Sequence, residues 1–395
     1  MSQELISRSP DLKRLRDEGF EVEVRSGHLL VHSVPYVNSR QEVVRGVLVS
    51  DLTLAGNITA EPGTHVAYFI GEHPCTKDGS EIVQIKHASG THLLAQGLSV
   101  DHSFSNKPPN GYANYYEKMT TYADILSSAA RALDPRVDAR TFKVIESGDD
   151  NSVFKYLDTA SSRAGITAIS ERVSRQRLAI IGLGGTGSYV LDFVAKTPVL
   201  EIHLFDDDLF LQHNAFRAPG APSIEELRQQ EFKVDHFRNI YGQMRNGIIA
   251  HRERVTEVNV HLLSAYDFVF VCVDKGSARR KIVQALVTGG ISFVDVGMGV
   301  EVTDSQVLWA MCRVTAGTLA KNDHLQRRLP MSDADGEDLY AQNVQIADLN
   351  ALNAALAVIK WKKISGVYQD VDRDHHSTYC TSLHLLTSEE RLDEA

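Results

Sequence analysis

The sequence is poor in the residues that staple a chain together. It has four cysteines in 395 residues, Cys75, Cys272, Cys312 and Cys380. No two of them stand in a Cys-x-x-Cys spacing, so neither a disulfide framework nor a structural zinc site is supported. No apolar run reaches the length of a membrane helix, and Met1-Ser2-Gln3-Glu4 lacks the basic-then-apolar pattern of a leader, so the expected location is the cytoplasm. Internal repeats and low-complexity tracts are missing too. Positive charge is in deficit. The formal net charge of −10 argues against a nucleic-acid surface, although a local phosphate pocket can hide inside that sum.

What remains has the composition of a folded protein, 43% hydrophobic and 23% charged. The length exceeds one ordinary core and points to two domains. An early helix at 10–18 is followed by short alternating strands such as 20–24 and 43–49. A helix is then predicted over 115–133, where Met119, Tyr122, Ile125, Leu126 and Ala129 recur at helical spacing and Asp134-Pro135 supplies a stop. The polar stretch 146–151 cannot contribute to a core and marks the boundary. It separates a smaller α+β recognition or transfer domain, 1–145, from a second domain, 152–395.

Beyond Arg175 apolar strands alternate with amphipathic helices, the rhythm of an α/β, doubly wound Rossmann-like, mostly parallel sheet. Strands are expected at 178–181, 201–205, 268–273 and 292–296, and helices at 187–196 and 346–363. Ser223 with Glu226 three residues on forms a capping box that starts another helix.

Chemistry concentrates at the first of these strands. Gly182, Gly184 and Gly187 form a Gly-x-Gly-x-x-Gly between strand and helix, with Gly185 adding a fourth glycine. Such glycines let the backbone approach a phosphate, and the N–H groups of the following helix end attract negative charge. The pattern most often means dinucleotide binding. About twenty residues on, Asp206-Asp207-Asp208 ends the next strand, where a carboxylate can accept hydrogen bonds from ribose hydroxyls. NAD is served equally well to this point. Asn214 and Arg217 follow directly, adding a polar group and a cation that suit a triphosphate.

The run GLGGTGS, then LFDDDLFLQHNAFR, then Lys233, then VFVCVDK resembles the adenylating domain of the ThiF, MoeB and ubiquitin-activating-enzyme superfamily, over roughly residues 160–365. The resemblance implies ATP and Mg²⁺ as cofactors and a ubiquitin-like protein with a flexible C-terminal tail as partner. It makes Asp206 the ribose-binding aspartate and Asp208 a second acidic position of the nucleotide pocket. Asn214 and Arg217 become phosphate-side residues, Lys233 the lysine approaching the α-phosphate, and Asp274 the aspartate that organises magnesium. Arg163 resembles the arginine finger that a homodimer partner lends. Ala218 stands where the family usually has glutamine, Lys275 where asparagine is common, and the zinc-binding cysteine pairs of many relatives are absent.

The resemblance also admits a thioester after adenylation, yet the crossover segment 315–343 contains no cysteine. Cys272 and Cys312 lie in apolar strands and read as core. Cys75, in a polar turn with His73 and Lys77 near it in sequence, is the expected nucleophile, ahead of Cys380 beside His375 and His376. Those adjacent histidines would point apart and do not suggest a metal site. The order of domains matches bacterial conjugation proteins in which a ubiquitin-conjugating-like domain precedes the activating domain, so a conjugating partner is a further expectation. The expected activity is an adenylyltransferase acting on the carboxylate of a ubiquitin-like protein. The alternatives are an NAD-dependent oxidoreductase, which leaves Asn214, Arg217 and Lys233 without roles, and a non-catalytic nucleotide-binding scaffold.

Overall fold

The computed structural model describes residues 2–146, 152–332 and 345–392. The chain divides into two compact units, Met1–Gly148 and Asp149–Ala395.

The first unit opens with helices α1 (Ser2–Arg8) and α2 (Pro10–Asp17) and continues through β1 (Glu21–Arg25), β2 (His28–Val37) and β3 (Val43–Asp51). A small hairpin, β4 (Leu54–Ala55) and β5 (Ile58–Thr59), precedes β6 (Val66–Ile70), β7 (Lys86–Ala95), β8 (Leu98–Ser105) and the long helix α3 (Tyr115–Leu133). Six strands form an antiparallel sheet in the order β1-β2-β3-β6-β8-β7. The helical spacing seen in the sequence puts Tyr115, Met119, Tyr122 and Leu126 into one core with Leu29, Val31, Phe69 and Phe104 of the sheet. Asn114 starts α3 by accepting from Glu117 N–H. A lysine lies fully inside: Lys118 donates to Ser50 Oγ, Thr64 O and Val66 O at 2.7–2.9 Å. Burial pushes its ammonium down to about 8.

The second unit begins with α4 (Thr159–Arg163) and α5 (Thr167–Ser170), then β9 (Arg177–Ile181), α6 (Gly185–Ala195), β10 (Glu201–Phe205), α7 (Gln212–Ala215), α8 (Ile224–Gln229) and α9 (Lys233–Tyr241). There follow β11 (Ile248–His251), β12 (Phe268–Val271), α10 (Gly276–Gly289), β13 (Ser292–Val302), β14 (Leu308–Gly317), α11 (Leu325–Arg328), α12 (Ala347–Ile364), β15 (Asp374–Cys380) and β16 (Leu385–Arg391). The eight-stranded sheet runs β11-β10-β9-β12-β13-β14-β15-β16. Its first five strands are parallel and its last three antiparallel. This is the doubly wound, Rossmann-like sheet.

The apolar run of β9 is explained by burial on both faces. Leu178 and Ile180 join the core beneath α6, α9 and α12, while Ala179 and Ile181 join the one beneath α10. Strand β12 divides its residues in the same way. In this unit boundaries differ from expectation by a residue at several ends, and by more at three. The strand expected at 268–273 stops at Val271, α6 starts at Gly185 and not at Gly187, and β13 runs on to Val302 because its far half pairs with β14. Chain order reverses between β9 and β12, which leaves a crevice at their C-terminal ends. Among the described residues no helix is long and apolar enough to cross a membrane.

Candidate functional site

The glycine turn after β9 is fixed by steric need. Gly182 has φ +89°, and a Cβ there would stand 2.7 Å from Cys272 O. A Cβ on Gly187 would lie 1.9 Å from Gly182 O, so the first turn of α6 can pack onto the strand end only with glycine. Gly184 differs. A Cβ there would meet nothing within 4 Å, so no packing demands glycine at that position and open space lies over the backbone where a ligand can approach. The first N–H groups of α6 have no partners within the helix. That of Gly185 faces Gln345 Oε1 at 3.3 Å.

Asp206 follows β10 and ties the turn to its neighbour. Its Oδ2 accepts from Leu183 N–H at 2.7 Å and its Oδ1 from Asp208 N–H at 2.9 Å. Burial raises its carboxyl pKa, against the opposing pull of Lys233 and these two N–H groups. Four lone-pair directions leave acceptor capacity for a further donor.

Lys233 reaches the same place because the backbone of 208–210 pairs with that of 231–233: Phe210 N–H donates to Glu231 O and Lys233 N–H to Asp208 O. Its ammonium then sits 2.7 Å from Asp208 Oδ2 and 3.6 Å from Asp206 Oδ1. Asp208 is held below the usual carboxylate range chiefly by this bond, helped by Arg254. The carboxylates of Asp206, Asp207 and Asp208 are mutually close. Lys233 and Arg254, the latter 2.5 Å from Asp207 Oδ1, offset that charge.

Asn214 is buried and turned inward, its Oδ1 accepting from Leu211 N–H at 2.8 Å to close the start of α7. Arg217, half-buried, is the unsatisfied member: its Nε is buried without a hydrogen-bond partner. Burial lowers its pKa while Asp274 and Asp208 hold it up, so the guanidinium lies in the field of both carboxylates. Asp274, exposed beyond the end of β12, makes no ion pair among the described residues. The structure therefore brings Asp206, Asp208, Lys233, Arg217, Asp274 and the glycine turn to one crevice. Arg163, exposed at the end of α4, makes no ion pair with them among the described residues.

Other residues of the site carry no motif in the sequence. Asn350 on α12 is fully buried, accepts from Thr186 Oγ1 at 2.9 Å and donates Nδ2 to Arg217 O at 3.3 Å. It joins the glycine turn to the Arg217 loop, and the lack of a side chain on Gly185 makes room for it. Two asparagines in the otherwise apolar stretch between Asp348 and Lys360 were the available signal. Arg254 and Arg279 are further examples.

The surroundings of Cys75 correct the sequence reading. Cys75 is 1% exposed, its Sγ donates to His73 O, and the ring of His73 turns to Pro74 O through Nδ1. Burial, with Glu81 and Glu72, pushes the thiol up, away from the thiolate that nearby cations were expected to favour. Cys312 is buried in β14 and pushed up to about 11 by burial, and burial pushes the Cys272 thiol up as well. Only Cys380 is lowered, by its contact with Ser382. His375 and His376 engage different partners, Thr318 and Thr315.

Compared with known proteins, residues 160–344 match the ThiF family and residues 10–159 match a domain of unknown function (DUF6791). No curated protein matches the sequence. Among solved structures, E. coli MccB with MccA-N7isoAsn is 14% identical, with a TM-score of 0.45, over 57% of this chain and 67% of that one. E. coli MccB with ATP is 15% identical, with a TM-score of 0.45, over 69% and 82%. PaaA is 17% identical, with a TM-score of 0.44, over 56% and 75%.

Proposed function

Taking residues 160–344 as a ThiF family domain, we propose that the second unit uses ATP to adenylate the C-terminal carboxylate of a polypeptide, in the finer reading a ubiquitin-like protein. The observation that carries this is Arg217: a half-buried guanidinium whose Nε lacks a partner, facing two carboxylates beside a glycine turn. An orphaned buried donor calls for an anionic acceptor. A triphosphate supplies one and brings more negative charge to Arg217 and Lys233 than the two phosphates of a dinucleotide do.

In this reading the open backbone at Gly184 and the end of α6 receive phosphate oxygens, and Asp206 accepts from a ribose hydroxyl. The substrate carboxylate oxygen attacks the α-phosphorus and pyrophosphate leaves. Lys233 and Arg217 offset the charge that gathers on the α-phosphate and the leaving group, acting by position and electrostatics without a protein nucleophile. Asp274 fits a role as Mg²⁺ ligand, being an exposed carboxylate with no competing ion pair; the cation would neutralise the phosphate tail. Arg163 enters as a finger supplied by a second copy. The first unit serves recognition or transfer of the same polypeptide.

Isothermal titration with ATP plus Mg²⁺ and with NAD tests the reading. ATP should bind far more tightly, and pyrophosphate exchange should follow on adding a cognate polypeptide. Tighter NAD binding would overturn it.

A further inference from the structure

A second charged cluster stands behind the crevice. Asp295 on β13 is fully buried, and two guanidiniums close on it: Arg279 Nε lies 2.8 Å from Oδ2 and Arg313 Nη2 2.6 Å from Oδ1. Arg279 is itself 4% exposed. Ion groups so deep in a protein stabilise it little over apolar filling, which turns attention to what they hold in place.

The two arginines hold different things. Arg313 stays on the sheet, donating Nη1 to Thr315 Oγ1, and Gly297 leaves it room. Arg279 reaches in from α10. Its Nη2 donates to Val273 O at 2.5 Å and its Nη1 to Pro330 O at 3.1 Å. Val273 directly precedes Asp274. The segment beyond Pro330 presses on the first turn of α10, where a Cβ on Gly276 would stand 2.4 Å from Ser332 O. One planar guanidinium thus spends its three edges on β13, on the turn carrying Asp274, and on the strand of chain that flanks it. No side chain caps α10 at Lys275, and Arg279 is a side-chain brace of this turn.

We propose that Arg279, anchored by Asp295, is the positioning residue for Asp274 and sets the affinity of the crevice for a divalent cation with ATP. This rests on the adenylation reading. Partners that orient a cation ligand are typically worth about 10–100-fold in affinity. Lysine cannot replace Arg279, because one ammonium cannot span three segments in one plane.

The test is titration calorimetry of the full chain with ATP, with and without Mg²⁺, on the unmutated protein, Arg279→Lys, Asp295→Asn and Arg313→Lys, alongside thermal melts. Arg279→Lys should weaken ATP binding with Mg²⁺ about tenfold and leave binding without Mg²⁺ unchanged. Arg313→Lys, which disturbs the same buried carboxylate but not Val273, should leave both unchanged. If Arg279→Lys does not fold, Asp295→Asn, which keeps the side-chain shape, should show the Mg²⁺-selective loss. Equal binding by the arginine variant and the unmutated protein, or an equal loss in Arg313→Lys, overturns the proposal while the adenylation reading stands. An unmutated protein whose ATP binding ignores Mg²⁺ sinks both.

Discussion

The ammonium of Lys233 is paired with Asp208 at 2.7 Å while almost entirely out of solvent. Its ammonium has three donors, so a phosphate oxygen can engage it beside that carboxylate, while Arg254, 3.4 Å from the other oxygen of Asp208, helps to hold Asp208 in place. Lys233→Ala and Asp274→Ala should each lower kcat/KM for pyrophosphate exchange by about 2–4 kcal/mol of transition-state stabilisation, the range for one preorganised electrostatic group. Unchanged exchange in both variants would put the reaction elsewhere.

Arg163, exposed at the end of α4, is proposed to act on a second copy. Mixing Arg163→Ala with Asp274→Ala chains should therefore restore exchange, since each heterodimer then has one intact site. Proven subunit exchange without recovered activity would remove Arg163 from the mechanism.

Thiol chemistry should follow surroundings and not sequence neighbours. Cys380, half-exposed with a lowered pKa, is expected to be alkylated first at pH 7.5, with Cys75, Cys272 and Cys312 well behind. Peptide mass spectrometry after timed iodoacetamide treatment reads the order. Cys75 reacting first would restore it as a candidate nucleophile. Any thioester to a substrate polypeptide should survive Cys75→Ala.

Acid should weaken the second unit through His376. Burial, with Arg328 and Arg313 beside it, pushes this imidazole from 6.5 down to about 4. Between those values the unfolded chain binds a proton that the folded chain refuses, so stability rises with pH across the window and is lost as pH falls through it. The loss is about 3 kcal/mol at 1.4 kcal/mol per unit. Urea midpoints at pH 7, 5.5 and 4.5 should fall more steeply for the unmutated protein than for His376→Asn. Parallel curves would show that the imidazole is not held neutral.

Much of this was legible in the sequence because single segments carry it. Strand β9 is apolar since both its faces are covered, α3 announces its buried stripe, and the glycines mark a turn that steric contact with Cys272 and Gly182 requires. What stayed hidden depends on residues brought from afar. Arg279 opens the cationic run Arg279-Arg280-Lys281, which reads as a solvated face, yet only its first member turns inward. Asn350 lies far along the chain from the loop it braces. Cys75 misled because His73 and Lys77 are near it in sequence, while the turn sends the ring of His73 toward His102 and Phe104.

The strand order of the second unit also dictates a timetable. Strand β9 sits between β10, which follows it closely, and β12, which begins only at Phe268. During synthesis the edge of β9 that awaits β12 stays unpaired while α6 to β11 are made, and the crevice cannot exist until that gap closes. The sheet of the first unit is complete within its own span, so it can mature while the ribosome is still making the second. Long-range parallel pairing is intrinsically slow to form. A stalled chain ending between β11 and β12 should thus hold a finished first unit and an open, chaperone-dependent second one.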